Sequence, residues 1–238
     1  MEFELLGICW DKKPFRNRAD KAPDEIRKVL PFVETFQSNI ELADYMIRDL
    51  GNIKPKSYKE MEIEVERKLG KSFPIILGGD HSITFSVVKK IKPKVFVSLD
   101  AHPDCEPLNL CYWSVTRKIS ELGIKSFVYG ARCISKNEDI FIREGKVKLA
   151  SLEDLKKINE PIYLSIDFDV LDPSIMPAGG YPEPNGLTFK QVLEAVRTVA
   201  KNVIAIDFVE FIPDNTDSSP FIAANLIYSV LAEIIKSK

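Results

Sequence analysis

Short runs of Val, Ile, Leu and Phe alternate along the chain with longer stretches in which apolar residues recur every three or four positions. Runs of the first kind suit strands buried on both faces of a parallel sheet, and the second kind suits helices packed over them. The pattern predicts strands at Phe3–Cys9, Ile75–Leu77, Val95–Leu99, Ser126–Tyr129, Ile162–Ile166 and Val203–Phe208. Helices are predicted at Ala22–Leu30, Ser57–Leu69, Ile83–Ile91, Val115–Leu122, Leu152–Lys157, Thr188–Ala200 and Ser218–Ile235. Strand and helix in turn predict an α/β fold of three layers, αβα, with a mainly parallel central sheet. Tyr45–Arg48 reads as a further strand that Asp49-Leu50-Gly51-Asn52 turns away from. No repeat or Gly/Ser linker interrupts the order, so one domain over residues 1–238 is expected. The proline-rich passage Pro173–Pro184 sits where a functional loop would.

Composition narrows the partners. Lys plus Arg number 33 against 35 Asp plus Glu, for a net charge of −2, which lacks the basic excess of a nucleic-acid footprint. No stretch is read as approaching the about eighteen apolar residues of a membrane span. The opening MEFELLGICW lacks the basic flank and small-residue cleavage site of a signal peptide, so a cytoplasmic location is expected. Cys9, Cys105, Cys111 and Cys133 are scattered without a C-x-x-C pair and are expected as free thiols.

In open α/β sheets ligands bind beyond the carboxyl ends of the strands, so polar residues just after an apolar run deserve inspection. Three exits stand out. After Ile75-Ile76-Leu77, the pair Gly78-Gly79 permits a tight path to Asp80-His81-Ser82; Asp80 and Ser82 suit helix capping, which leaves His81 unexplained. After Val95–Leu99, the segment Asp100-Ala101-His102-Pro103-Asp104 spaces three ligand-type residues by two, which in extended chain puts them on one face. After Ile162–Ile166, Asp167 and Asp169 share a face while Phe168 points into packing. Asp172, before Pro173, reads as the start of a turn.

Two carboxylates crowded at the end of a buried strand repel and desolvate one another unless a cation is present. The only two histidines of the chain, His81 and His102, fall in the same segments. With Asp100, Asp104, Asp167 and Asp169 they make six ligands, too many for one ion and enough for two, expected about 3.5–4 Å apart in a two-metal hydrolase. Oxygen-dominated ligands with one imidazole per ion suit Mn²⁺ better than Zn²⁺.

GGDHS at 78–82, DAHPD at 100–104 and SIDFDVLDP at 165–173 resemble the three metal motifs of the ureohydrolase family of arginases, agmatinases and formiminoglutamases. The likeness covers most of the chain. Ala22-Pro23-Asp24-Glu25-Ile26-Arg27 resembles the family's opening helix, Pro182–Thr188 its PEPGGLT turn and Asp207-Phe208-Val209-Glu210 its last active-site strand. The resemblance implies an arginase-like fold and two Mn²⁺. His81, Asp100, Asp104 and Asp167 would hold one ion and Asp100, His102, Asp167 and Asp169 the other, with Asp100 and Asp167 shared. It also implies two catalytic roles: Asp104 would hydrogen-bond the attacking hydroxide, and Glu210 would pair with the substrate's guanidinium. Urea and an amine would leave. Agmatine or a related polyamine precursor is the preferred substrate, with formiminoglutamase or arginase activity as alternatives and a metal-binding scaffold without catalysis as a third. The related deacetylases, with a single zinc, fit less well. A trimer or hexamer is the family expectation.

The chain departs from the family in two places. The histidine that usually follows the DAHxD segment, thought to pass a proton to the departing amine, is absent from Cys111–Arg117, and Tyr112 or water would have to serve. Around the PEPGGLT turn, Asn185 replaces a glycine, and Gly179-Gly180-Tyr181 replaces Thr-Gly-Thr. Tyr181 either stacks on a substrate or packs under the loop, and Trp10 and Trp113 carry the same alternatives. A basic residue at the mouth, among Arg16, Arg18 and Arg132, would favour a substrate with a carboxylate.

Overall fold

The computed structural model of this chain describes every residue except Asn215 and Asp217. Its strands are β1 (Phe3–Ile8), β2 (Phe36–Gln37), β3 (Ile40–Glu41), β4 (Ile47–Ile53), β5 (Phe73–Leu77), β6 (Val95–Leu99), β7 (Lys125–Tyr129), β8 (Val147–Leu149), β9 (Ile162–Asp167) and β10 (Val203–Val209). Its α-helices are α1 (Ala22–Val29), α2 (Tyr58–Lys68), α3 (Ile83–Ile91), α4 (Val115–Glu121), α5 (Lys136–Arg143), α6 (Leu152–Leu155), α7 (Phe189–Val199) and α8 (Ser218–Lys236). Eight strands form one sheet in the order β4-β1-β5-β10-β9-β6-β7-β8, with every pairing parallel. The short β2 and β3 pair antiparallel beside it.

Alternation along the strands sorts the core into two layers. Phe3, Ile75, Leu77, Val95, Val97 and Leu99 face α1, α7 and α8, whereas Leu6, Ile76, Phe96 and Tyr163 face α2, α3 and α4. These are the three expected layers. Helix starts follow local chemistry: Ser135 with Glu138 and Thr188 with Gln191 close capping boxes at α5 and α7.

Three expectations change. Asp49-Leu50-Gly51-Asn52 does not turn the chain away but runs inside β4, where Arg27 donates to the carboxylate of Asp49 and to Asn52 Oδ1, so the polar side chains are spent on α1. Gly51, at φ +74°, marks a bulge in the pairing with β1. The short elements β2, β3, α5 and β8 are not among the predicted ones; each has too few residues to stand out as an apolar run. Finally, α8 is by length and composition apolar enough to cross a membrane, contrary to the reading that no stretch comes close. In this fold Ala223, Leu226, Val230, Leu231 and Ile234 are buried in the core beside α1 and α7.

Candidate functional site

Consecutive strands β5 and β6 are not neighbours; β10 and β9 lie between them. Their carboxyl ends are level, Leu77 beside Phe208, Phe208 beside Ile166 and Ile166 beside Leu99. Whatever leaves these four strands therefore meets above one edge, where the chain order switches and α/β sheets place their ligands. His81 comes from β5, Glu210 from β10, Asp167 and Asp169 from β9, and Asp100, His102 and Asp104 from β6.

His81 reaches this edge through two glycines. A Cβ on Gly79 would lie 1.8 Å from the carbonyl oxygen of Trp10, which itself accepts the Asp80 amide. Gly79→Ala is thus expected to cost about 1–3 kcal/mol or more through overpacking against backbone. An unchanged urea midpoint for the variant would count against this. Asp80 accepts from the Ser82 amide at 3.0 Å and from the Lys12 amide at 2.8 Å. Ser82 stands at the N-cap of α3 without a side-chain cap bond, and its hydroxyl instead receives Trp10 Nε1 and the Tyr58 hydroxyl.

The six expected ligands converge. His81 Nδ1 lies 2.8 Å from Asp104, 3.1 Å from Asp100 and 3.7 Å from Asp167. His102 Nδ1 lies 3.1 Å from Asp169 and 3.7 Å from Asp100. Two groups, His81 with Asp100 and Asp104, and Asp100 with His102 and Asp169, each bring their ligand atoms within 4.8 Å of one another. All are buried except His102, which is partly exposed. Despite its short contacts, His81 Nδ1 has no hydrogen-bond partner with acceptable direction. A buried nitrogen ringed by carboxylate oxygens yet bonded to none suits a cation in the middle. The donor set, hard oxygens with one imidazole to each group, fits a divalent ion.

Protonation follows from crowding. Burial, then the charge of Asp100, pushes Asp104 up to about 7. Burial, then the charges of Asp169 and Asp100, raises Asp167 well above the usual carboxylate range. Burial works against charge on His102, but the carboxylates of Asp100 and Asp169 beside it prevail and raise it to about 12. Without a metal, protons occupy positions that a cation would take.

Several functional neighbours escape a reading by strand exits alone. His81 Nε2 sits 3.0 Å from Ser165 Oγ, which donates to buried Asp207; Tyr163 and Thr84 also donate to Asp207, at 2.6 and 2.7 Å. This chain fixes the imidazole so that Nδ1 faces the carboxylates. Its signal in the sequence is the spacing by two of Tyr163, Ser165 and Asp167 inside a buried run. The larger omission is Lys13, whose ammonium pairs with Glu210. Lys13 follows the exit of β1, a fifth strand end of the same edge.

The remaining assignments sort cleanly. Asp172 is a turn residue, accepting from the Ser174 and Gly186 amides. Arg132 donates to the carbonyls of Asp169, Glu183 and Pro184, and Arg16 to those of Pro177 and Gly179, so both tie loops. Those loops roof the site: Gly179 abuts Asp169, and a Cβ on Gly180 would lie 2.4 Å from Glu210. Trp10 is buried on Tyr58. Tyr181 stacks on Tyr112, with Trp113 and Phe15 beside it and His102 6.4 Å away. Burial, and then its contact with the Tyr181 hydroxyl, raises Tyr112, making it a reluctant proton donor. All four cysteines are free.

A sequence model of the Arginase family matches residues 1–232. The N(1)-aminopropylagmatine ureohydrolase of Thermococcus kodakarensis is 31% identical, the alignment covering 98% of this chain and 91% of that protein. The agmatinase of Pyrococcus horikoshii is 30% identical over 97% of this chain and 91% of its own length. Among solved structures, the agmatine ureohydrolase of Thermoplasma volcanium superposes with a TM-score of 0.85 at 29% identity, covering 99% of this chain and 90% of the other.

Proposed function

This chain belongs to the arginase family, and we propose that it hydrolyses a guanidino compound with an aminoalkyl tail, agmatine first, to urea and an amine. The observation that carries this reading is the convergence of two ligand groups and Glu210 on one buried edge of the sheet. Two Mn²⁺ are the proposed occupants, one held by His81, Asp100, Asp104 and Asp167, the other by Asp100, His102, Asp167 and Asp169. When bound, such ions supply Lewis acidity and make water a competent nucleophile near neutral pH.

The chain's own groups do the rest. Asp104, carried into the first group by a left-handed backbone (φ +50°), is placed to accept a hydrogen bond from the attacking water and hold its lone pair toward the substrate carbon. Glu210, also left-handed at φ +64°, is anchored by the His81 amide at 2.8 Å and orients a planar cation through its carboxylate. The loop bearing Gly179 and Gly180 lies against Asp169 and Glu210 and screens that side of the site from bulk water.

Substrate choice follows from the mouth. Arg132 spends its guanidinium on carbonyls and Arg16 is held to two carbonyls through Nη2, which disfavours the carboxylate-bearing substrates of an arginase or formiminoglutamase. Trp113 and Tyr181, the latter backed by buried Tyr112, offer aromatic faces suited to the methylenes and ammonium of an amine tail. With Mn²⁺ supplied, agmatine and N(1)-aminopropylagmatine are expected to release urea faster than arginine, and formiminoglutamate to yield little formamide. If no member of that panel gives urea, formamide or amine at several pH values, the hydrolase reading fails and a metal-binding scaffold takes its place.

A further inference from the structure

The Lys13 side chain is wholly buried, and its ammonium donates to Glu210 Oε2. The other carboxylate oxygen, Oε1, accepts the His81 amide. Both oxygens that a guanidinium would grip are thus in use, one of them by a cation the chain supplies itself. This arrangement is built into the loop. Asp11 accepts from the amides of Lys13 and Ala19 at 2.8 Å each, Asp80 accepts from the amide of Lys12, and Arg16 ties the segment to the carbonyls of Pro177 and Gly179. The backbone around Lys13 is therefore held, and any displacement of its ammonium must come from rotation about the bonds of its four-carbon stem.

We propose that Lys13 is an internal cation that competes with the substrate's guanidinium for Glu210 and so sets how tightly, and how selectively, the site takes that group. The inference rests on the guanidino reading of this site. A guanidinium entering beside a retained ammonium meets a like charge in a poorly screened pocket, and one that displaces the ammonium must break a buried ion pair first. Either route weakens binding. Lys13 is thereby a specificity-determining residue: it penalises reacting groups that bring only a positive charge and favours those whose tails gain enough contact at the mouth to expel it.

Binding of guanidinium chloride, measured by calorimetry on Mn²⁺-supplemented protein against equal NaCl, tests this directly. Lys13→Met and Lys13→Gln are expected to bind the ion about tenfold tighter or more, the scale of one charge-pair coupling. Lys13→Arg, which keeps the internal cation, should show no such gain. The KM for agmatine should fall in the two neutral variants by more than kcat changes. A neutral variant that binds guanidinium no better than the parent, or no detectable binding in any of them, overturns the proposal. Should those variants fail to fold, a crystal of the parent protein soaked in guanidinium chloride decides: Lys13 displaced with the ion on Glu210 supports it, and the ion bound with Lys13 unmoved or bound elsewhere refutes it. Tighter guanidinium binding without urea from any substrate would sink the proposed reaction alone, and urea release with unchanged guanidinium affinity would sink this inference alone.

Discussion

Asp167→Ala is expected to purify without either metal ion and to lose activity by roughly 10³-fold or more, since several kcal/mol of transition-state stabilisation depends on the metals. Asp167 sits at the end of β9 between the two ligand groups, buried, with Oδ2 3.7 Å from His81 Nδ1 and Oδ1 accepting the Asp169 amide at 2.8 Å. Its removal takes away the proposed shared ligand and also loosens the turn that aims Asp169. His102→Ala should behave differently, because His102 joins the group with Asp100 and Asp169 and not the one around His81. It is expected to keep no more than one ion per chain and to be equally inactive. Elemental analysis of the purified variants, with half-buried Asp139→Ala on α5, outside the ligand groups, as control, separates these outcomes. Two ions retained by Asp167→Ala would show that Asp167 is not a shared ligand.

Stripping the metals is expected to lower the melting temperature by roughly 10 °C or more, and by a larger amount at pH 8 than at pH 5.5. An ion present at about a thousand times its dissociation constant adds about 4 kcal/mol to the folded state, and in a chain of this size each kcal/mol moves the midpoint by about 2–4 °C. The pH dependence comes from the crowded acids. Asp104, at about 7, and Asp167 are raised above their unfolded values by burial and neighbouring carboxylates. The stability that such groups lend the metal-free fold is complete below their unfolded pKa, near 4, and is lost as pH rises through the folded values. His102, raised to about 12, acts in the same direction above its unfolded value near 6.5. Asp100 is lowered through its two histidine partners, despite burial, and is ionised in both states across this window. Metal binding requires the deprotonated ligands, so it strengthens where the bare site weakens. Equal midpoint gains at the two pH values, or a larger gain at pH 5.5, would contradict this account.

How much of the site was legible differs by residue. The exits of β5, β6 and β9 announced themselves because a buried strand has no other reason to end in His or paired Asp, and because spacing by two survives into the folded chain. Ser165 and Asp207 were harder, since a single hydroxyl or carboxylate inside an apolar run does not say which neighbour it will meet. The family resemblance supplied Glu210, but not the ammonium that holds it.

Periodicity and residue type, properties of a few consecutive positions, determine which segments are strands, which are helices and which strand ends bear ligands. The order in which strands lie side by side is a long-range outcome of packing, and only the tertiary structure decides it. That order puts β10 and β9 between β5 and β6, which is what turns three separate motifs into one cluster. It also brings Lys13 to Glu210 across 197 positions of chain. No local pattern encodes that pairing, because it exists only where two strand ends at opposite termini of the sequence share one buried, weakly screened edge.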